Sequence, residues 1–206
     1  MLQIESLPRA TLDVLRMLMK QPFINDFLLV GGTALSLYWG HRISIDLDFF
    51  TDKNIDLDKL EAKVNGIDQA IMESKNPIGR IYSIKNVKTD FVNYPYSFLY
   101  EPFSSEGIAL AHIDDVVALK LGAIANRGAK KDMYDLYFIL HHYTIEQLVQ
   151  LYIEKYNVAD AFPLLKSLTY FGDANDQLPP QLLKEKTLTW PQVKRFIEKK
   201  VKESLL

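Results

Sequence analysis

The sequence predicts an α+β fold: a mixed β-sheet with flanking helices in the first half, followed by a helical C-terminal half. Three observations predict it. Short apolar runs of strand length, several with period-two alternation, cluster before residue 100. From about residue 108 onward the apolar spacing is almost wholly helical. Between these regions Glu101-Pro-Phe-Ser-Ser-Glu-Gly107 carries turn residues, which suggests domains over 1–105 and 106–206.

The elements follow in order. Leu12, Leu15, Leu18 and Met19 form an apolar stripe, so 8–20 reads as a helix. Phe27-Leu-Leu-Val30 suits a short buried strand or a final helical turn, and it ends at Gly31-Gly32. Residues 34–39 read as helix, stopped by Gly40, and 43–50 as an alternating strand. A short helix is expected over 56–66. Strands are expected over 69–75, 80–85 and 87–94, with turns at Asn76-Pro77-Ile78-Gly79 and near Asn86. In the second half, Asp114 or Asp115 can cap a helix to Asn126, which Gly128 breaks. Helices follow over 130–142, from Thr144 as cap, and over 160–170 and 190–204. Pro191 stands near the start of the last helix, and 173–180 is a loop.

Composition excludes several function classes. The 206 residues contain no cysteine. Disulfides, thiol nucleophiles, cysteine-held zinc and thiolate iron–sulfur clusters are therefore out. Any catalysis must use oxygen and nitrogen groups. The start MLQIESLPRA has neither the basic stretch nor the apolar core of a signal peptide. No run reaches the ~20 apolar residues of a membrane helix. The expectation is a soluble, cytoplasmic protein with no membrane partner. With 24 Lys+Arg against 26 Asp+Glu, the chain is no broadly basic nucleic-acid coat. Phosphates must be met by a local patch or by metal ions. The lysine-rich tail from Lys184 is such a patch, or else a solvated face with intrahelical ion pairs.

The sharpest chemical feature is Ile43-Ser-Ile-Asp-Leu-Asp-Phe-Phe50. Strand alternation places Asp46 and Asp48 on one face and Leu47 and Phe49 on the other. Two such carboxylates repel, and a divalent metal resolves the conflict. All-oxygen ligands suit Mg²⁺ bound together with phosphates. The alternative is a solvated edge strand. Upstream, Gly31-Gly32-Thr33 opens a helix, where glycines admit close approach and free amides attract phosphate; an ordinary turn is the alternative. Asp90, in Val87-Lys-Thr-Asp-Phe-Val92, is the candidate third acid of a two-metal site. Parity puts it on one face with Lys88. Arg42 and His41, just before the paired aspartates, can meet a phosphate or pair with a surface acid. Tyr38 and Trp39 can stack a base or pack in the core.

Gly31-Gly32-Thr33-Ala34-Leu35 followed by His41-Arg42-x-Ser44-x-Asp46-x-Asp48-Phe49-Phe50 resembles the first motif of the AbiEii/AbiGii toxin family, in the DNA polymerase β-like nucleotidyltransferase superfamily. The stretch from Lys120 through Arg127, Lys131, Asp132 and Asp135 to Tyr137 is similar to its downstream motif. Tyr170-Phe-Gly-Asp173, then Trp190 and Lys194, also look family-like, so the resemblance covers most of the chain.

The resemblance implies a nucleotidyltransferase-type sheet, Mg²⁺, an NTP substrate and a separate antitoxin partner, in an abortive-infection or toxin–antitoxin pair. It implies Asp46 and Asp48 as catalytic metal ligands, Asp90 as the third acid and Gly31, Gly32 and Thr33 as the triphosphate turn. Lys120, Arg127, Lys131 and Asp132 would contact the nucleotide. Lys120 and Arg127 share a helix face, as do Asp132 and Asp135. The alternative reading is an ion-paired lock between two helices. Relatives that extend tRNA suggest a tRNA 3′ end as acceptor. A protein side chain as acceptor, or a catalytically silent module that binds nucleotide, RNA or a partner, are the competing readings.

Overall fold

The computed structural model describes residues 1–204. It divides into two compact units, Met1–His112 and Ile113–Leu206.

In the first unit, α1 (Arg9–Leu18) buries Thr11, Val14, Leu15 and Leu18, a stripe at helical spacing, while Leu12 and Met19 stay half-buried. Strand β1 (Leu28–Val30) runs straight into α2 (Gly31–Trp39). That sharp change of direction needs the positive φ of Gly31, +69°. Gly40 ends α2 in the left-handed conformation.

Strand β2 spans Leu47–Thr51, later and shorter than the alternation over 43–50 suggests. The backbone before it is already bonded elsewhere. The Ser44 amide donates to the Ser6 carbonyl (3.0 Å), and the hydroxyls of Thr11 and Thr33 bond to the carbonyls of Ile45 and Asp46. These groups are not available to a strand partner. Asp46 therefore sits on the approach to the strand and Asp48 within it.

The remaining elements are α3 (Leu57–Val64), β3 (Ala70–Asn76), β4 (Gly79–Ile84), β5 (Val87–Asn93), β6 (Phe103–Ser105) and β7 (Ile108–Leu110). Asp56 caps α3 by accepting from the amides of Asp58 and Lys59. The seven strands form one mixed sheet in the order β3-β4-β5-β2-β1-β7-β6. The central β2 is antiparallel to β1 and parallel to β5. On its buried face, Phe91 gathers Phe27 and Phe49, each at 5.5 Å between ring centroids, with Phe23 and Tyr82 beyond.

The β6–β7 hairpin places a strand, Ile108–Leu110, at the start of the region whose spacing is almost wholly helical. Its two-residue turn, Glu106-Gly107, has positive φ at both positions, the primed geometry that suits tight hairpins. The hairpin crosses the 105/106 boundary drawn from the sequence and joins the sheet through β7, parallel to β1.

The second unit is helical: α4 (Ile113–Arg127), α5 (Lys130–Ile139), α6 (Ile145–Tyr156), α7 (Phe162–Leu168) and α8 (Trp190–Glu203). Helix α4 is buried continuously from Asp115 to Gly122, because α5, α6 and α7 pack around it. Asp114 and Asp115 lie inside its first turn rather than capping it, where a negative charge suits the helix dipole. Asp115 pairs with the buried Lys155 at 2.8 Å. Capping boxes open α6 (Thr144 with Gln147) and α8 (Thr189 with Gln192). Among the described residues no helix is long and apolar enough to cross a membrane.

Candidate active site

The sheet register brings the predicted acids together. Asp48 of β2 is the partner of Asp90 on the parallel neighbour β5. Register partners project from the same face. Around them burial alternates: Leu47, Phe49, Thr89 and Phe91 are buried, whereas Asp48, Phe50, Asp90 and Val92 are only half-buried. The carboxylates thus stand on the face opposite the aromatic core. Asp46, half-buried, is two residues before Asp48.

The glycine turn is shaped around these groups. A β-carbon on Gly31 would strike Oδ2 of Asp48 and lie 2.9 Å from its Cγ. One on Gly32 would strike Nη2 of Arg42. The glycine pair leaves room for a carboxylate and a guanidinium beside the α2 N-terminus. Thr33, fully buried, places its hydroxyl 2.9 Å from Ser44 Oγ and bonds the Asp46 carbonyl. It ties the start of α2 to the segment that carries Asp46. Arg42 is buried and donates from Nη1 to the Ile43 carbonyl at 3.1 Å, and His41 is buried beside Trp39. Tyr38 donates to the Ala111 carbonyl and leans on Phe103, so its ring packs within the unit.

Lys88 enters from the exposed end of β5. Its Nζ donates to Asp90 Oδ2 at 2.8 Å. Partial burial pulls its pKa down, but the bond to Asp90 and the charges of Asp90, Asp48 and Asp46 outweigh this and raise it. One ammonium therefore feels all three acids. From the sequence, strand parity sets Lys88 beside Asp90 without assigning it a role. The signal was its period-two spacing from an acid in an apolar strand.

Among the described residues no three His, Asp or Glu side chains form a ready metal cage. The donor chemistry nevertheless suits Mg²⁺. It is all oxygen, and Asp90 Oδ1 is buried without a hydrogen-bond partner.

In the second unit the downstream motif forms a buried ion cluster. Lys120 Nζ lies 2.8 Å from Asp132 Oδ1 and 2.9 Å from Asp135 Oδ2, all three side chains being almost fully buried. Arg127, mostly exposed, reaches Asp132 Oδ2 at 3.2 Å. Lys131 is exposed. The cluster joins α4 to α5, the interhelical lock that the spacing allowed.

The model of the family described as nucleotidyl transferase AbiEii toxin, type IV toxin–antitoxin system, matches residues 13–201. The chain belongs to this family. A relative, the uncharacterized protein aq_aa25 of Aquifex aeolicus, is 35% identical over 189 residues, covering 88% of this chain and 89% of the relative. Among solved structures, the chain is similar to MenT4, a nucleotidyltransferase toxin from Mycobacterium tuberculosis. The TM-score is 0.56 at 14% identity, over 86% of this chain and 74% of that one. It is also similar to JHP933 from Helicobacter pylori, with a TM-score of 0.50 at 18% identity over 96% and 94% of the two chains. At these identities the two likenesses concern the fold. This AbiEii chain is a toxin nucleotidyltransferase, with a nucleotide substrate and an antitoxin partner implied by its family. Its mixed sheet with flanking helices is the nucleotidyltransferase fold.

Proposed function

We propose that the chain is an Mg²⁺-dependent cytoplasmic enzyme that transfers a nucleotide from an NTP to the 3′ end of a tRNA. The register of Asp48 beside Asp90, with Gly31 pressed on the Asp48 carboxylate, carries this reading. Asp46, Asp48 and Asp90 would hold Mg²⁺, which supplies charge stabilisation at the phosphoryl oxygens when bound. The α2 amides at Gly31–Thr33 receive the triphosphate. Asp90 accepts the proton of the attacking hydroxyl. The new bond forms at the α-phosphorus, the bond to the β-phosphate breaks, and pyrophosphate leaves. Lys88 stands ready to meet phosphate oxygens once Asp90 turns to its other partners.

In the second unit, Arg127 and Lys131 offer exposed cations to phosphates of nucleotide or acceptor, while Lys120 and Asp132 hold the helices that present them. The solvent side of α8 adds Arg195, Lys199 and Lys202 at helical spacing, suited to an RNA backbone.

The test is incubation with labelled NTPs, Mg²⁺, total RNA and a candidate antitoxin. The expected result is label in tRNA, abolished by Asp46→Asn with Asp48→Asn in a folded protein. Full activity in that double variant sinks the proposal. Label on a tyrosine, serine or threonine moves the acceptor from RNA to protein.

A further inference from the structure

The face that carries the carboxylates does not end with them. Along β2, alternation puts Phe50 on the side of Asp48, about 6.6 Å farther along the strand. Its register partner on β5 is Val92, the next residue on the Asp90 face. Just past β5, the Tyr94 amide donates to the Thr51 carbonyl at 2.7 Å, which extends the β2–β5 pairing by one step. This places the Tyr94 ring against Phe50, stacked at 5.0 Å between centroids and 29° between planes. Tyr96 follows at 5.5 Å and 56°, with 38% of its surface exposed.

These rings are not part of the core, which lies on the opposite face around Phe91. The aromatic step, half-buried at Phe50 and Tyr94 and exposed at Tyr96, continues the row of acids along the same two strands. Its flat π-surfaces suit one class of ligand particularly well. A nucleobase stacks on aromatic rings whatever its identity, and its sugar and phosphate then extend toward groups that manage charge. Here the charged groups are the next row of the same two strands.

We propose that Phe50, Tyr94 and Tyr96 form the seat of an unpaired nucleobase, which fixes how far a reacting nucleotide lies from Asp48 and Asp90. This rests on the nucleotidyl-transfer reading above and extends it to a base-binding subsite. The base belongs either to the incoming triphosphate or to the 3′-terminal nucleotide of a single-stranded acceptor. Both present the same ring chemistry. Because stacking is indifferent to base edges, the seat selects an unpaired base over a paired one rather than one base over another.

The experiment reads stacking directly, without turnover. The full chain is titrated with two fluorescent probes: 2-aminopurine riboside triphosphate, and a short single-stranded RNA with 2-aminopurine at its 3′ end. The expected result is quenching of one probe on binding. Phe50→Leu and Tyr96→Ala should each weaken that binding by about tenfold and restore the fluorescence, with unchanged circular dichroism and melting temperature. The probe that is quenched identifies the source of the base. The same 2-aminopurine placed inside an RNA duplex, already dimmed by its stacked neighbours, should show no further change when the protein is added. Wild-type affinity and quenching in both variants overturn the proposal, as does the absence of quenching with both probes. Quenched binding without any nucleotide transfer to tRNA leaves the seat standing and removes only the proposed Mg²⁺-dependent transfer to that acceptor.

Discussion

Lys88 and Asp90, two residues apart on the same face of β5, are joined by a 2.8 Å hydrogen-bonded ion pair on the strand that supplies the third acid. The pair places a lysine cation among carboxylates that the proposed function gives to Mg²⁺. The two cations compete for Asp90. Replacing Lys88 by Met should tighten Mg²⁺ binding about fivefold, ~1 kcal/mol, the scale of a partly exposed pair. Calorimetric titration with Mg²⁺, free of nucleotide, checks this. Weaker Mg²⁺ binding in Lys88→Met would show that the lysine organises the carboxylates instead.

Gly31 and Gly32 should respond unequally to alanine. Gly31 has φ of +69° and faces the Asp48 carboxylate, so Gly31→Ala should cost about 2 kcal/mol or more. It should also push Asp48 out of line with Asp90 and reduce transfer about a hundredfold. Gly32→Ala meets the end of the Arg42 side chain and, at 3.4 Å, Ser44 Oγ, and should cost about 1 kcal/mol. Urea unfolding and initial rates on both variants provide the comparison, and equal effects would contradict it.

The lock between α4 and α5 depends on one lysine against two aspartates. Lys120→Met removes the buried cation that Asp132 and Asp135 share, Arg127 remaining on Asp132, and should destabilise by about 3–5 kcal/mol. Arg127→Met removes an exposed partner and should cost under about 1 kcal/mol. Denaturant midpoints measure both. A Lys120→Met variant of wild-type stability that has lost transfer activity would give Lys120 a direct role with the nucleotide.

Two tyrosines set an alkaline limit. Burial pushes the Tyr82 phenol up to about 12, helped by Glu61 and opposed by Arg80. Burial and the hydrogen bond to Glu185 push Tyr137 to about 12 as well. In the unfolded chain both ionise near 10, so above that pH the unfolded state loses protons first. Their contribution to stability is complete below pH 10 and is lost as pH rises toward 12. Tyrosinate absorbance during alkaline titration should show a late-ionising group of phenols, Tyr82 and Tyr137 with Tyr134, which burial also raises, and Tyr137→Phe should remove one of them.

Much of this was legible in the sequence because it depends on local rules. Period-two alternation placed Asp48 and Asp90 on strand faces away from Leu47 and Phe91. The Thr144 cap and the Gly40 stop carry their own chemistry. What escaped depends on partners distant in the chain. Residues 43–46 alternate like a strand, but Ser6, Thr11 and Thr33 take their backbone groups first. The hairpin at Glu106-Gly107 has strands of three residues, too short to show a period. The sequence reads the glycine pair as room for phosphate; the packing adds that the same pair makes room for Asp48 and Arg42. Lys88 gained meaning only when the register set Asp48 beside its partner.

That register has a further consequence in time. Asp48 and Asp90 pair across parallel strands, and all of α3, β3 and β4 lies between them in the chain. Parallel pairing over such a distance forms late and has no local substitute. A growing polypeptide that has not yet delivered β5 holds two of the three acids and no lysine beside them. On the proposed function, translation can therefore proceed through most of this unit before the three acids come together.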